Sequence, residues 1–195
     1  TNVKSSGRLF SLASVRVFEK PVGTELQATE ASRRRQRRES GLAKMRELVE
    51  RRFKDWAEVL GTEALDAMAE QSGGDLREFF IRFMQPCLSR AYEYLGELPL
   101  PAEHPAVQET IEEARSDYER MVFGEDLPLL LQIHREGDIR LESRDEQLPA
   151  IARLFDIRAV LSYRNGQEWF DVHPLLVPRV EAYAHQAGAN SPGRA

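Results

Sequence analysis

The spacing of hydrophobic residues changes along the chain, and each change predicts a new element. Residues 9–18 form a short apolar run rich in Val and Phe, followed by Pro21 and Gly23, which is typical of a buried strand leaving a sheet. From Leu42 onward, apolar residues recur at steps of three and four, which predicts an amphipathic helix that ends at Gly61. The pattern therefore predicts one strand and then a change to helices.

A glycine pair separates the next two predicted helices. Thr62 has the hydroxyl of a helix N-cap and opens a short helix that stops at residues 72–74, Ser-Gly-Gly. Asp75 is the predicted N-cap of a third helix, which Pro86 should kink. The glycine pair has two interpretations, a phosphate cradle or a sharp turn. The turn is favoured because glycine adopts left-handed conformations without a Cβ clash.

Prolines mark a boundary in the middle of the chain. Residues 96–104 contain Pro99 and Pro101, and Pro105 follows them, so this segment should stop helices and divide two small units. Beyond it the apolar spacing predicts three more helices, over residues 107–122, 126–136 and 145–156.

A β-hairpin is the clearest local prediction. Residues 159–163 and 168–172 flank Asn165-Gly166, the pair preferred in a type I′ turn. Closing that turn places Leu161 opposite Phe170 on a buried face, and Ser162 opposite Trp169 on the outer face. Three helices followed by a hairpin is the order of a winged-helix domain, with residues 145–156 in the place of the recognition helix.

Composition and charge narrow the class of protein. A chain of 195 residues that is 42% hydrophobic and 30% charged can form a real core, and it has no apolar run of about 20 residues that would cross a membrane. The net charge of -5 is concentrated after residue 95, which counts against nucleic-acid binding by that half. Cys87 is the only cysteine, which predicts a reducing, cytoplasmic location and a buried, unreactive thiol.

The sequence offers few catalytic or metal-binding patterns. The four histidines, His104, His134, His173 and His185, have no zinc spacing, so no metal site is predicted. No G-x-S-x-G nucleophile elbow occurs, which argues against a hydrolase.

A basic block precedes the first predicted helix. It is interpreted as a solvated linker, with nucleic acid, an acidic lipid surface or a protein as alternative partners. Trp169 is a second candidate partner contact, although packing against a neighbouring helix is the favoured interpretation. The candidate arginines of the block are Arg33, Arg34, Arg35, Arg37 and Arg38.

Two stretches carry a resemblance to a known family. The sequence Ser72-Gly73-Gly74-Asp75-Leu76-Arg77 resembles the start of the final lid helices in AAA+ ATPases of the Orc/Cdc6 and clamp-loader type. Residues 161–174 (LSYRNGQEWFDVHP) resemble the winged-helix hairpin that ends a group of bacterial P-loop proteins. The resemblance extends from about residue 9 to His173. It implies that Arg77 is the sensor 2 arginine, which contacts the γ-phosphate of ATP.

The resemblance also implies an organisation. The predicted fold is mainly α, and its parts are the last strand of an absent ATPase core (1–22), a basic linker (23–40), a helical lid (41–96), a winged-helix domain (97–187) and a disordered tail (188–195). No G-x-x-x-x-G-K-[ST] loop occurs, so ATP and Mg²⁺ would bind only together with that core, and no catalytic residue is predicted. Because the chain begins at Thr1 rather than Met, we expect a longer polypeptide.

The resemblance and the sequence patterns lead to two hypotheses for the function. In the leading hypothesis the chain is the regulatory part of an AAA+ ATPase, which senses ATP through the lid and relays this state to a protein partner or a neighbouring subunit. In the alternative it is a winged-helix adaptor or regulator that binds nucleic acid or a protein. Nucleic acid is the less favoured partner, because residues 145–156 carry Asp145, Glu146 and Asp156 against Arg153 alone.

Overall fold

The protein is mainly helical, with a small two-stranded antiparallel sheet. The computed structural model describes residues 14, 15, 17, 28–140, 144–165 and 167–189. No helix in these ranges has both the length and the apolar character needed to cross a bilayer. The α-helices are α1 (Ala28–Arg52), α2 (Trp56–Val59), α3 (Thr62–Gln71), α4 (Leu76–Glu78), α5 (Gln85–Ala91), α6 (Pro105–Met121), α7 (Leu127–Glu136), α8 (Arg144–Asp156) and α9 (Val177–Ala189), and the strands are β1 (Val160–Asn165) and β2 (Gln167–Val172).

The first helix is displaced toward the N-terminus relative to its prediction. α1 begins at Ala28, so it contains the basic block, of which residues 35–38 are exposed, and it ends at Arg52 rather than at Gly61. The buried stripe of α1 is formed by Leu42, Met45 and Val49. Backbone hydrogen bonds join Leu100 to Val59 (2.9 Å) and to Gly61 (2.8 Å). This pairing holds the chain extended at Leu60, which a continuous helix does not allow.

The helix starts around the glycine pair follow their predictions in part. Gly61, not Thr62, occupies the N-cap position of α3, and no side chain caps that end. Asp75 is the N-cap of α4, as predicted, and its side chain accepts hydrogen bonds from Arg77 N and Glu78 N. Pro86 lies in the first turn of α5, directly after a π-helical segment, Phe79–Met84. Proline has no N–H to donate to a helix, and its ring crowds a carbonyl of the preceding turn. The wider π-helical turn before Pro86 accommodates both effects.

Buried residues before and after the proline-rich segment belong to one hydrophobic cluster. α6 packs against α3, α5 and the π-helical segment, so it lies at the centre of this arrangement. The apolar spacing predicted a stripe of six residues along this helix: Val107, Ile111, Ala114, Tyr118 and Val122 are buried, and Met121 is partly buried.

The hairpin forms where predicted, but its register differs by one residue. Val160 lies opposite Val172, Leu161 opposite Asp171, and Tyr163 opposite Trp169. Pairing continues as far as Asn165 and Gln167, which is incompatible with the predicted type I′ turn. The rings of Tyr163 and Trp169 stack with centroids 4.3 Å apart, and this stacked pair accompanies the observed register.

The predicted outer face of the hairpin is wrong for Trp169, which is only 4% exposed. A one-residue shift changes the partner of every residue in a hairpin. The strand predicted over residues 9–18 lies largely outside the described residues. α9 continues to Ala189, so residues 188 and 189 of the predicted tail are helical, and residues 190–195 lie outside the described ranges.

β2 is joined to α7 by a partly buried ion pair. His134 Nδ1 lies 2.7 Å from Asp171 Oδ1. The hydrogen bond to Asp171 raises the pKa of His134 above its ordinary 6.5, against the opposing effect of burial.

This pair predicts a pH-dependent contribution to stability. A raised pKa in the folded state stabilises the fold fully below the unfolded value of 6.5, and this contribution is lost as pH rises through the folded value. We expect the Asp171→Asn change to reduce the free energy of unfolding in urea by about 1 kcal/mol at pH 6 and by much less at pH 9. Asparagine keeps the oxygen that accepts from Val172 N. Equal losses at both pH values would contradict the prediction.

Candidate functional site

The turn between α3 and α4 is tightly constrained, because two other segments pack directly against its backbone. We call residues Ser72, Gly73, Gly74 and Asp75 the glycine turn. Gly73 and Gly74 have φ angles of 63° and 72°, in the left-handed region that only glycine adopts readily. Gly73 N donates to Glu70 O (2.9 Å) and Gly74 N to Ala69 O (3.3 Å), which satisfies the last carbonyls of α3. The predicted sharp turn is therefore confirmed.

Two other parts of the chain meet the backbone of the glycine turn. Val15 N donates to Gly74 O at 2.8 Å, and a Cβ at Gly74 would overlap the carbonyl of Val15. Tyr163 Oη donates to Gly73 O at 3.2 Å, and a Cβ at Gly73 would overlap the side chain of Leu161. Val15 and the hairpin therefore occupy space that side chains at positions 73 and 74 would need.

An ion pair joins the glycine turn to the end of α8. One carboxylate oxygen of Asp75 caps α4, with Arg77 N at 2.9 Å and Glu78 N at 3.0 Å, and the other pairs with Arg158. Arg158 itself has a left-handed φ of 59°, which costs a non-glycine residue about 1 kcal/mol. Local sequence patterns cannot predict this pair, because its members are 83 positions apart.

Arg77, the predicted phosphate contact, lies in the first turn of α4, beside this ion pair. Its side chain is exposed, and within the described part of the chain no ion pair holds its guanidinium. An exposed guanidinium on a capped helix start can make two parallel hydrogen bonds to a phosphate. Its backbone is fixed, since its own N–H donates to Asp75.

A polar cluster lies behind α4, between the π-helical segment and α6. Arg82 Nε lies 2.8 Å from Glu78 Oε2, and its other end reaches Asp117 at 3.3 Å. Tyr118 Oη donates to the same Glu78 oxygen at 3.3 Å. The tyrosine ring stacks on His173 with centroids 4.1 Å apart. The cluster therefore connects the helix of Arg77 to the segment that follows β2.

His173 is neutral in this environment. Burial first, and then the charges of Arg82 and Arg158, lower its pKa to about 3. Its Nδ1 accepts from Leu175 N at 3.3 Å, and among the described residues Nε2 has no hydrogen-bond partner. In the sequence, His173 had been singled out only among histidines without zinc spacing. Its observed contacts are structural.

Among the remaining candidate residues, Arg38 and Trp169 contact residues close to the glycine turn. Arg38 forms an ion pair with Glu70 of α3, one turn before the glycine turn. Arg35 and Arg37 are exposed on α1, whereas the side chains of Arg33 and Arg34 lie outside the described residues. Trp169 stacks on Tyr163, whose hydroxyl reaches Gly73.

Burial raises the pKa of the Cys87 thiol to about 11, which agrees with the predicted unreactive cysteine. In the described ranges, no three His, Cys, Asp or Glu side chains lie together as metal ligands would.

A groove of about 510 Å³ lies between the start of α7 and α8. Its wall carries Arg153, which pairs with the buried Asp126, donates to Met121 O at 3.2 Å and lies over the ring of Phe123. The guanidinium is therefore committed to holding α8 against the residues before α7.

Comparisons with protein-family models, with curated proteins and with solved structures gave no significant match.

The geometry of the glycine turn predicts different costs for two glycine substitutions. Gly74→Ala combines a left-handed φ with overlap on Val15, so we expect it to lower the free energy of unfolding by at least about 2 kcal/mol. Gly124→Ala is the matched control, because a Cβ there meets nothing within 4 Å, and its effect should stay within about 0.5 kcal/mol. Chemical denaturation measures both, and similar effects at the two positions would contradict the geometry.

The Asp75–Arg158 pair predicts a measurable coupling energy. In a double-mutant cycle, Asp75→Asn keeps the helix cap and removes the charge, and Arg158→Gln removes the partner. We expect a coupling of about 1 kcal/mol that weakens with salt. The exposed i,i+4 pair Glu47–Arg51 is the reference, for which about 0.3 kcal/mol is expected. A coupling at Asp75–Arg158 no larger than this reference would show that the contact stabilises the fold no more than an exposed surface pair does.

Proposed function

We propose that the chain is the regulatory portion of an AAA+ ATPase, in which α1 to α5 form the lid and α6 to β2 form a winged-helix relay. In this proposal a separate ATPase core holds ATP and Mg²⁺, and Arg77 contacts the γ-phosphate. The chain itself would have no catalytic residue, because it lacks the loop that cradles phosphates. The single buried cysteine suits a reducing compartment, and we place the protein in the cytoplasm.

The observation that carries the proposal is the position of Arg77 at a junction. Arg77 follows the glycine turn by two residues, and Asp75 fixes its backbone while binding Arg158 next to β1. A force on the Arg77 guanidinium would therefore be transmitted to the hairpin through an ion pair and through the Tyr163–Gly73 hydrogen bond. Exposure supports the same role, since a phosphate held by another domain must reach the guanidinium from outside.

The order of elements supports the winged-helix part of the proposal. α6, α7 and α8 precede the two strands, and α8 packs against β1. We favour a protein over nucleic acid as the partner, because Arg153 of α8 is occupied by Asp126 rather than facing outward for phosphates. The exposed arginines of α1 would serve the same protein partner or a neighbouring subunit.

The proposal predicts that Arg77 controls ATP turnover in the natural gene product that contains this chain. We expect Arg77→Ala to lower the rate of ATP hydrolysis at least about tenfold, because a charge that stabilises the transferring phosphate is lost. Arg77→Lys should retain part of the rate, since lysine keeps the charge but not the bidentate geometry. Arg120→Ala, at an exposed arginine on α6, is the control and should leave turnover unchanged.

Two outcomes would contradict this function. If the gene product carries no phosphate-binding loop, or if Arg77→Ala hydrolyses ATP at the normal rate, the lid assignment fails. Strong binding of DNA to the chain alone, with an affinity that falls steeply with salt, would instead favour the winged-helix adaptor.

A further inference from the structure

The helical stretch from the π-helical segment to residue 97 presents apolar side chains to solvent. Ile81 is 54% exposed, Tyr92 76% and Leu95 65%. Between them Gln85 is exposed and Leu88 is half-buried. We call these five residues the outer strip. The opposite side of the same stretch is buried in the core by Phe83, Met84, Cys87 and Ala91.

The outer strip is unusual because three of its side chains, Ile81, Tyr92 and Leu95, are large and apolar although they face solvent. Single exposed apolar residues are common, but a run of them along one helix face marks a contact surface. Within the described ranges, no other element covers Ile81, Tyr92 or Leu95.

We infer that the outer strip is a contact between two copies of this chain, packed antiparallel through a twofold axis near Leu88. Ile81 lies seven residues before Leu88, and Leu95 lies seven residues after it. An antiparallel arrangement therefore places Ile81 of one copy against Leu95 of the other. Gln85 lies three residues before Leu88, and Tyr92 lies four residues after it. In the antiparallel dimer the Gln85 amide of one copy would lie beside the Tyr92 hydroxyl of the other, and these two groups can form a hydrogen bond. Such self-complementarity is what a twofold interface requires.

The charges at the two ends of the outer strip favour the antiparallel arrangement. Near its start, Arg52 is exposed and its guanidinium lies over the ring of Phe80, 4.6 Å from the centroid. Near its end, Glu93 and Glu97 are exposed. A parallel copy would bring like charges together, whereas an antiparallel copy sets the basic end against the acidic end.

Two charges of the opposite sign near the ends of the strip already lie in ion pairs within the chain. At the basic end Glu78 pairs with Arg82 at 2.8 Å, and at the acidic end Arg90 pairs with Glu113 at 2.5 Å.

The contact should be weak, because five residues on one helix bury less area than a stable interface of about 800 Å² per partner. A bend also limits the surface, since Tyr94 departs from helical angles and Leu95 lies just beyond it. We expect a dissociation constant of about 10 to 100 μM, which makes the dimer visible only at high protein concentration. The inference does not depend on the proposed ATPase function.

Sedimentation equilibrium of the whole chain over a range of concentrations tests this inference. We expect a monomer–dimer equilibrium for the unchanged chain and at least a tenfold weaker association for Tyr92→Glu, which places a charge in the apolar contact. Leu148→Glu is the matched control, because Leu148 is 57% exposed on α8, away from the strip, and it should associate normally. Circular dichroism of each variant checks that it is folded.

A charge-exchange experiment tests the antiparallel orientation. Arg52→Glu and Glu93→Arg should each weaken the dimer several-fold, and the double variant should recover most of the lost affinity. A chain that is monomeric at all concentrations overturns the inference, as does a dimer that Tyr92→Glu leaves intact. Failure of the double variant to recover overturns the antiparallel arrangement.

Discussion

The structure depends on the absence of side chains at two consecutive positions. At Gly73 and Gly74 the backbone turns through left-handed angles, and it is approached by Val15 on one side and by Leu161 and Tyr163 on the other. A Cβ at either position would occupy space that another segment needs. The constraint is therefore both conformational and steric, and it fixes how α3, α4, the N-terminal segment and the hairpin meet.

Charged and aromatic groups then stabilise what the glycine turn makes possible. Asp75 uses one oxygen for its helix cap and the other for Arg158, so a single carboxylate connects a local element to a distant one. The polar cluster around Arg82 and Tyr118 adds a second connection to His173. Burial keeps this histidine neutral, so its charge does not change across the ordinary pH range.

A continuous core has a consequence for the proposed relay. Because α6 packs against both α3 and α5, an independent hinge at residues 96–104 would expose buried apolar surface. A signal received at Arg77 would therefore travel by movement of the helices and the hairpin together. The outer strip lies on the solvent side of the same helical stretch, so self-association would hold that stretch.

Local sequence was enough to predict a mainly helical fold, the position of the hairpin, the Asp75 cap and the sharp glycine turn, because each follows from local periodicity or from the stereochemistry of one residue. It did not determine where α1 ends, the hairpin register, the burial of Trp169 or the partner of Asp75. The extended backbone at Leu60 follows from pairing with Leu100, and the register accompanies the stacking of Tyr163 on Trp169. Some of these features are contacts between residues that are distant in sequence. Others are choices, such as the hairpin register, that local spacing leaves open. Both kinds depend on how the folded chain packs.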